Sequence, residues 1–170
     1  MTTVNLDISE LSKLSNILDD YIKKAESNQN KLVKEICDTI KEKAKSGYNA
    51  SWVDGYPAYA PVVSDTVANK GWVEAYGDAV WVEFGAGIHY NGGKVGAMPN
   101  PYAKQLGWSI GNYGHKLGRF HTWHYRAPET GEWVPTHGTR ATKPLYNAVS
   151  DVKKNIKSMA NDIWKEGAGK

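Results

Sequence analysis

The sequence predicts an α+β fold in which a long N-terminal helix and a C-terminal helix pack on one face of an antiparallel β-sheet. Three observations lead to this prediction. Apolar residues recur every three or four positions near both ends of the chain, they alternate in its middle, and a Gly-rich stretch without any period interrupts the alternating region. At 170 residues, the chain is expected to form a single domain over 1–170 with a buried core.

Residues 6–45 are predicted to be helical, because apolar side chains recur at helical spacing from Ile8 to Ala44. A polar run at 26–31 interrupts the pattern, so this segment is either one long helix with a solvated middle or a pair of helices. Gly47 is expected to end it. The single cysteine, Cys37, is expected to be a small buried apolar residue that forms no disulfide within the chain.

The sheet is predicted to lie within residues 60–135. Segments 62–67, 71–76 and 79–84 are rich in β-branched and aromatic residues, and Gly77-Asp78 is expected to form the turn between the second and third of these strands. In the third strand, alternation would place Glu83 on the face opposite Val82 and Phe84. A second hairpin is predicted from 121–126 and 132–135, around a turn at 128–131.

Residues 85–118 are predicted to be a long loop, because they include nine glycines and no clear period. This loop is expected to become ordered when the protein assembles, through contacts made by Tyr90, Tyr102, Trp108 and Arg119. The helical period returns at 144–165, where Pro144 suits the first helical turn and Gly167 is expected to follow the end.

Charge is distributed unevenly along the chain, although its net value is only +3. No acidic residue lies between Glu83 and Glu129, so this stretch is a candidate surface for a polyanion or an acidic partner, or else a mildly basic solvated loop. No stretch approaches the roughly 20 apolar residues that a membrane span needs. The N-terminal segment lacks the pattern of a secretory signal, so we expect a protein made in a reducing cytoplasm, without a membrane partner.

No catalytic residue, metal or cofactor is predicted from the spacing of polar residues. His121 and His124 would point to opposite faces of a strand, and no Cys or carboxylate lies near them before Glu129. Gly85-Ala-Gly87 follows a predicted strand, but no Gly-Lys-Ser/Thr or helix comes after it, so it fails as a nucleotide-binding loop.

Two segments far apart in the sequence share features with a known family. The first is Ala79-Val-Trp-Val-Glu-Phe-Gly-Ala-Gly87, and the second is Thr136-His-Gly-Thr-Arg-Ala-Thr-Lys-Pro-Leu-Tyr-Asn-Ala148, which leads into the last predicted helix. Together they resemble the gene-ten-like head–tail joining family of tailed bacteriophages, also called tail-completion or neck proteins. That family has a strand ending in Val-Glu-Phe-Gly-Thr-Gly and a Gly-Thr-x-Ala-x-Pro-Phe/Leu segment that opens the C-terminal helix.

The resemblance implies a structural virion protein without catalytic activity. It implies a homo-oligomeric ring, commonly a hexamer, at the head–tail junction of a phage or a phage-tail-like particle, assembled in the bacterial cytoplasm. The expected partners are neighbouring neck, connector and tail-tube or terminator proteins, with DNA passing through the lumen without sequence-specific binding. The residues that carry the family pattern or are expected near subunit contacts are Trp81, Glu83, Phe84, Gly85, Gly87, His137, Gly138, Thr139 and Pro144.

Two other functions remain open from the residues alone. One is a phage-encoded nuclease or wall hydrolase that uses the His-rich segment 115–137. The other is a carbohydrate- or peptide-binding module that uses exposed aromatic side chains, with Trp108, Tyr113, Trp123 and Trp133 as candidates.

Overall fold

The computed structural model describes residues 8–53, 56–85, 102, 105, 123–127, 130–136, 139 and 141–168. Its elements confirm the α+β class. In chain order they are α1 (Ile8–Asn49), β1 (Trp52–Val53), β2 (Tyr56–Pro57), β3 (Val62–Val67), β4 (Lys70–Ala75), α2 (Ala79–Phe84), β5 (Trp123–Arg126), β6 (Trp133–Thr136) and α3 (Pro144–Ala168). Apart from Gly85, Tyr102 and Gln105, the predicted loop at 85–118 lies outside the described residues.

Helix α1 is continuous over 42 residues, which confirms one of the two alternatives for the N-terminal segment. The polar run at 26–31 lies within the helix, on a mostly exposed stretch. Gly47 is not its end, because the helix continues to Asn49. Cys37 is buried as predicted, and burial, together with the neighbouring Asp38 carboxylate, raises the pKa of its thiol.

The described strands form three separate antiparallel ribbons of two strands each, instead of one continuous sheet. Strand β3 pairs with β4 from Val62 opposite Ala75 to Val67 opposite Lys70, so the hairpin turns at Ala68-Asn69. The hairpin predicted near the C-terminal helix is confirmed, since β5 pairs with β6 and His124 lies opposite Pro135.

The third predicted strand is wrong, because residues 79–84 form the short helix α2. The turn at Gly77-Asp78 therefore connects β4 to this helix instead of closing a hairpin. Ala79, Val82 and Glu83 are buried, a spacing of three and four that places them on one helical face. Packing of this face outweighs the β-propensity of Val and Trp, which is a weak preference by comparison.

The core lies where α1 and α3 run antiparallel, with the β3–β4 hairpin against α1. Near the end of α1, Lys43 forms an ion pair with Asp151 of α3 across 3.2 Å. Val152 and Ile163 of α3 are buried, whereas Ile156, another apolar residue of this helix, is 40% exposed. Among the described residues, no helix is long and apolar enough to span a membrane.

Candidate functional site at the start of the last helix

The described parts of the two segments that carry the family resemblance lie against each other in the structure. The carbonyl oxygen of Val82, in α2, accepts hydrogen bonds from the backbone N–H groups of Thr142 and Lys143, at 2.9 and 3.2 Å. Residues about 60 positions apart are thereby joined immediately before α3 begins. Lys143 occupies the left-handed backbone region, with φ of 59°, and α3 starts at the next residue.

Glu83 is the centre of this junction. Its side chain is buried, with 6% exposure, and its carboxylate points at the first turn of α3. Oε1 accepts a hydrogen bond from the Leu145 N–H at 2.5 Å, and Oε2 accepts one from the Tyr146 N–H at 3.4 Å. The Tyr48 hydroxyl donates a third bond to Oε1 at 2.9 Å.

This arrangement satisfies backbone groups that a helix cannot satisfy by itself. The first N–H groups of a helix have no carbonyl partner within it, and its N-terminus carries a partial positive charge. Pro144, the first residue of α3, has no N–H, so the first donors available are those of Leu145 and Tyr146. A buried carboxylate is therefore stabilised here by charge-assisted hydrogen bonds and by the helix dipole.

The partner of Glu83 on α1 is Tyr48, which is 1% exposed. Burial raises the pKa of its phenol well above the usual range, and the charge of Glu83 and the hydrogen bond to it act in the same direction. Tyr48 is thus held as a neutral donor. Through this bond, α1, α2 and α3 are connected at a single carboxylate.

Gly85 allows the chain to leave α2 close to the second segment. It has a φ of 78°, in the left-handed region that favours glycine, and a Cβ at this position would lie 3.1 Å from the carbonyl oxygen of Thr139. Thr139 is itself buried. Both the conformation and the close approach therefore require glycine at this point.

The end of α1 approaches the start of α3 equally closely. A Cβ on Gly47 would lie 2.7 Å from the Cβ of Pro144. The Ser51 hydroxyl bonds to the Gly47 carbonyl oxygen at 2.8 Å and lies 2.9 Å from the hydroxyl oxygen of Thr142. In the described residues, Thr142 thus contacts the end of α1, while Glu83 binds the first N–H groups of α3.

An apolar groove of about 440 Å³ lies beside the buried carboxylate. The rings of Tyr102 and Tyr146 meet there edge to face, with centroids 6.0 Å apart and planes at 65°. The groove is lined by Tyr48, Ala75, Ala79, Val80, Glu83, Phe84, Tyr102, Leu145, Tyr146 and Val149.

Chemically, this junction is suited to holding three helices together. Both oxygens of Glu83 accept hydrogen bonds from within the protomer. Among the side chains that the structure describes, no group of three or more His, Cys, Asp or Glu is placed to hold a metal ion. His124 lies exposed on β5, and the remaining histidines of the His-rich segment fall outside the described residues.

The structure brings together six of the residues singled out from the sequence. Trp81, Glu83, Phe84 and Gly85 belong to α2 or follow it, while Thr139 and Pro144 belong to the segment against it. Tyr102 lies in the adjoining groove. The remaining predicted residues lie outside the described part of the chain, namely Gly87, His137, Gly138, Tyr90, Trp108 and Arg119.

The sequence interpretation missed Tyr48 and Ser51, and it assigned Gly47 only to the end of the first helix. One signal for Tyr48 was present, because it follows Ile40 and Ala44 in steps of four residues and so continues the apolar face of α1. No local signal marks its bond to Glu83, which lies 35 residues away. Compared with known proteins, the chain matches no protein-family model, no curated protein and no solved structure.

Proposed function

We propose that this protein is a structural component of a tailed-phage virion or a phage-tail-like particle, acting in head–tail joining. In this proposal it forms a ring at the neck, between connector and tail proteins, after assembly in the host cytoplasm. DNA passes through the ring without sequence-specific contacts. The protein has no catalytic role.

The observation that supports this proposal is the convergence of residues 79–85 and 139–148 on Glu83. These segments carry the resemblance to the neck proteins, and in the structure their residues hold the protomer together. Polar atoms that bond to one another serve the architecture of a building block. An enzyme would instead need reactive groups directed towards a substrate.

Exposed aromatic side chains also favour an assembly protein. Trp52, Tyr56, Tyr59 and Trp133 are between 61% and 74% exposed. Aromatic residues are enriched at protein–protein interfaces, where they supply much of the binding energy. The aromatic-binding alternative shares Trp133 with this set, so binding of soluble glycans or peptides at Trp133 would favour that alternative.

The test is to inactivate the gene in the parent phage and to image the particles. We expect filled heads and free tails that join when the wild-type protein is supplied. A reconstruction of the intact particle should then show several copies of the chain around the head–tail axis. A single copy, absence from the junction, or normal particles without the protein would refute the proposal.

A further inference from the structure

The first half of α1 carries an apolar face that the protomer leaves exposed. Its residues follow the spacing i, i+3, i+4, i+7 and i+8, which places them along one side of a helix. Their exposed fractions are between 48% and 70%. This stripe consists of Leu14, Ile17, Leu18, Tyr21 and Ile22.

The stripe is exposed because α1 extends beyond its neighbour. Gly47 lies beside Pro144, and the two helices run antiparallel from there, with 25 residues in α3 against about 40 in α1. Since both rise about 1.5 Å per residue, roughly 15 residues of α1 project beyond the end of α3. Every described side chain from Ser12 to Lys24 is exposed.

An exposed apolar area of this size marks an interaction surface. Five side chains of roughly 200 Å² each, exposed by about half or more, present on the order of 500 Å², within the range of the largest patches found on monomers. Two such faces together would bury about 1,000 Å², which reaches the lower limit for a specific interface.

The charges beside the stripe identify the partner. At 100° per residue, Lys13 and Lys24 border one side of the stripe, with Asp20 farther round, which gives +1. On the other side are Glu26 and, farther round, Asp19, which give −2. Both sets of side chains are exposed.

This asymmetry makes the surface complementary to itself in one orientation. When two parallel helices face each other, the left flank of one meets the right flank of the other, so the basic side lies along the acidic side. An antiparallel pair would place like charges together. A membrane surface or a nucleic acid would instead favour a strongly basic polar face, which the balanced charges here do not provide.

We infer that the stripe Leu14–Ile22 binds a second copy of this chain, with the two α1 helices parallel. The inference does not rest on the proposed function, because the contact belongs to the purified protein as well as to any particle. A head–tail role could fail while the pairing persists, and the reverse could also occur.

The first test is sedimentation equilibrium of the full chain over about 1–200 µM. We expect the mass of the parent to rise with concentration to that of a dimer or a larger oligomer. Leu18→Asp should weaken association roughly 100-fold, because it buries an unpaired charge in each copy. The matched control Asn16→Asp places the same charge on the opposite side of α1 and should associate as the parent does.

Leu18 and Asn16 are both exposed, so both variants should unfold at the same temperature as the parent at low concentration. Tyr21→Ser provides a second variant of the stripe. A parent that stays monomeric throughout, or a Leu18→Asp protein that associates normally, overturns the inference. Sedimentation of the monomer with anionic vesicles would assign the stripe to lipid and would overturn it as well.

The second test measures orientation with spin labels in a Cys37→Ser background. Labels placed separately at Asn16 and Asn30, both on the side of α1 away from the stripe, should report similar distances between copies in a parallel pair. In an antiparallel pair centred on Leu18, the Asn30 labels would be about 36 Å apart along the axis. That longer distance would overturn the parallel arrangement.

Discussion

At the scale of single residues, Glu83 shows how a charge is accommodated inside a small domain. An isolated carboxylate is costly to bury, and the cost falls when charged hydrogen bonds replace those to water. Glu83 receives two backbone N–H groups of α3 and one tyrosine hydroxyl. Glu83 therefore contributes to stability only when α1, α2 and α3 are all in place.

Replacing Glu83 by glutamine tests this contribution. The amide keeps the size of the side chain but loses its charge, and its NH₂ group cannot accept from the N–H groups of α3. We expect the free energy of unfolding to fall by about 2 kcal/mol, measured by urea denaturation. Glu35→Gln, at an exposed position of α1, should change it by less than about 0.5 kcal/mol. Equal losses in the two variants would contradict the role of Glu83.

The raised pKa of Tyr48 predicts how the stability of the protein changes at alkaline pH. Its folded-state pKa is raised by burial, so the folded protein keeps the phenol proton at pH values where the unfolded chain, with a pKa of about 10, releases it. The stabilisation is complete below pH 10 and is lost as pH rises, at up to about 1.4 kcal/mol per pH unit.

Tyr48→Phe should therefore be less stable than the parent at pH 7 but should lose less stability between pH 9 and pH 11. Tyr56→Phe is the matched control, because Tyr56 is 73% exposed. Its pH profile should follow that of the parent. A Tyr48→Phe profile parallel to the parent's would show that another group causes the alkaline loss.

At the scale of elements, the crossing of α1 and α3 depends on a close approach of two backbones. Gly47 lies inside a helix, where glycine is less favourable than alanine by about 1 kcal/mol. It is tolerated because Pro144 occupies the space that a Cβ would need.

Gly47→Ala should accordingly destabilise the protein in spite of its better helix propensity. The new Cβ would lie 2.7 Å from that of Pro144, and both atoms are held by backbone. We expect a net loss of about 1–3 kcal/mol in urea denaturation. Ser46→Ala, at the exposed neighbouring position, should be neutral or slightly stabilising. A stabilised Gly47→Ala protein would mean that the helices separate without cost.

At the scale of the whole molecule, stability is unevenly distributed along α1. The half that lies beside α3 and the β3–β4 hairpin holds the buried residues Cys37, Ala44 and Tyr48. The half before Ala25 contributes exposed side chains in the described part of the helix. The buried residues that α1 contributes to the protomer thus lie in one half of the helix, and the stripe inferred to pair with a second copy lies in the other half.

Deleting residues 1–22 should leave the free energy of unfolding of the monomer within about 1 kcal/mol of the parent, because the described side chains among them, from Ser12 to Ile22, are all exposed. Chemical denaturation at low protein concentration measures this. Deleting residues 163–170 is the comparison, since it removes the buried Ile163 and should cost about 2 kcal/mol or more. A large loss for the first deletion would place the N-terminal half in the folding core.

The elements whose signal is local could be predicted from the sequence alone. The apolar periods of α1 and α3, the proline that opens α3, and the hairpin β5–β6 all follow from spacing or turn residues within a short window. Residues 79–84 were misassigned because four of these six residues are β-branched or aromatic, which suits a strand equally well. The helical spacing of Ala79, Val82 and Glu83 can be recognised only once these three residues are known to be buried.

The role of Glu83 could not be predicted in this way, because it depends on contacts between distant parts of the folded chain. Its bonds reach Tyr48, 35 residues earlier, and the start of α3, 62 residues later. The sequence showed that residues 79–87 and 136–148 both match one family pattern, but it did not show that they lie close together in the folded chain. Local propensity acts over a few residues, whereas a buried charge is stabilised by whichever donors the folded chain brings to it, so its partners are decided by packing.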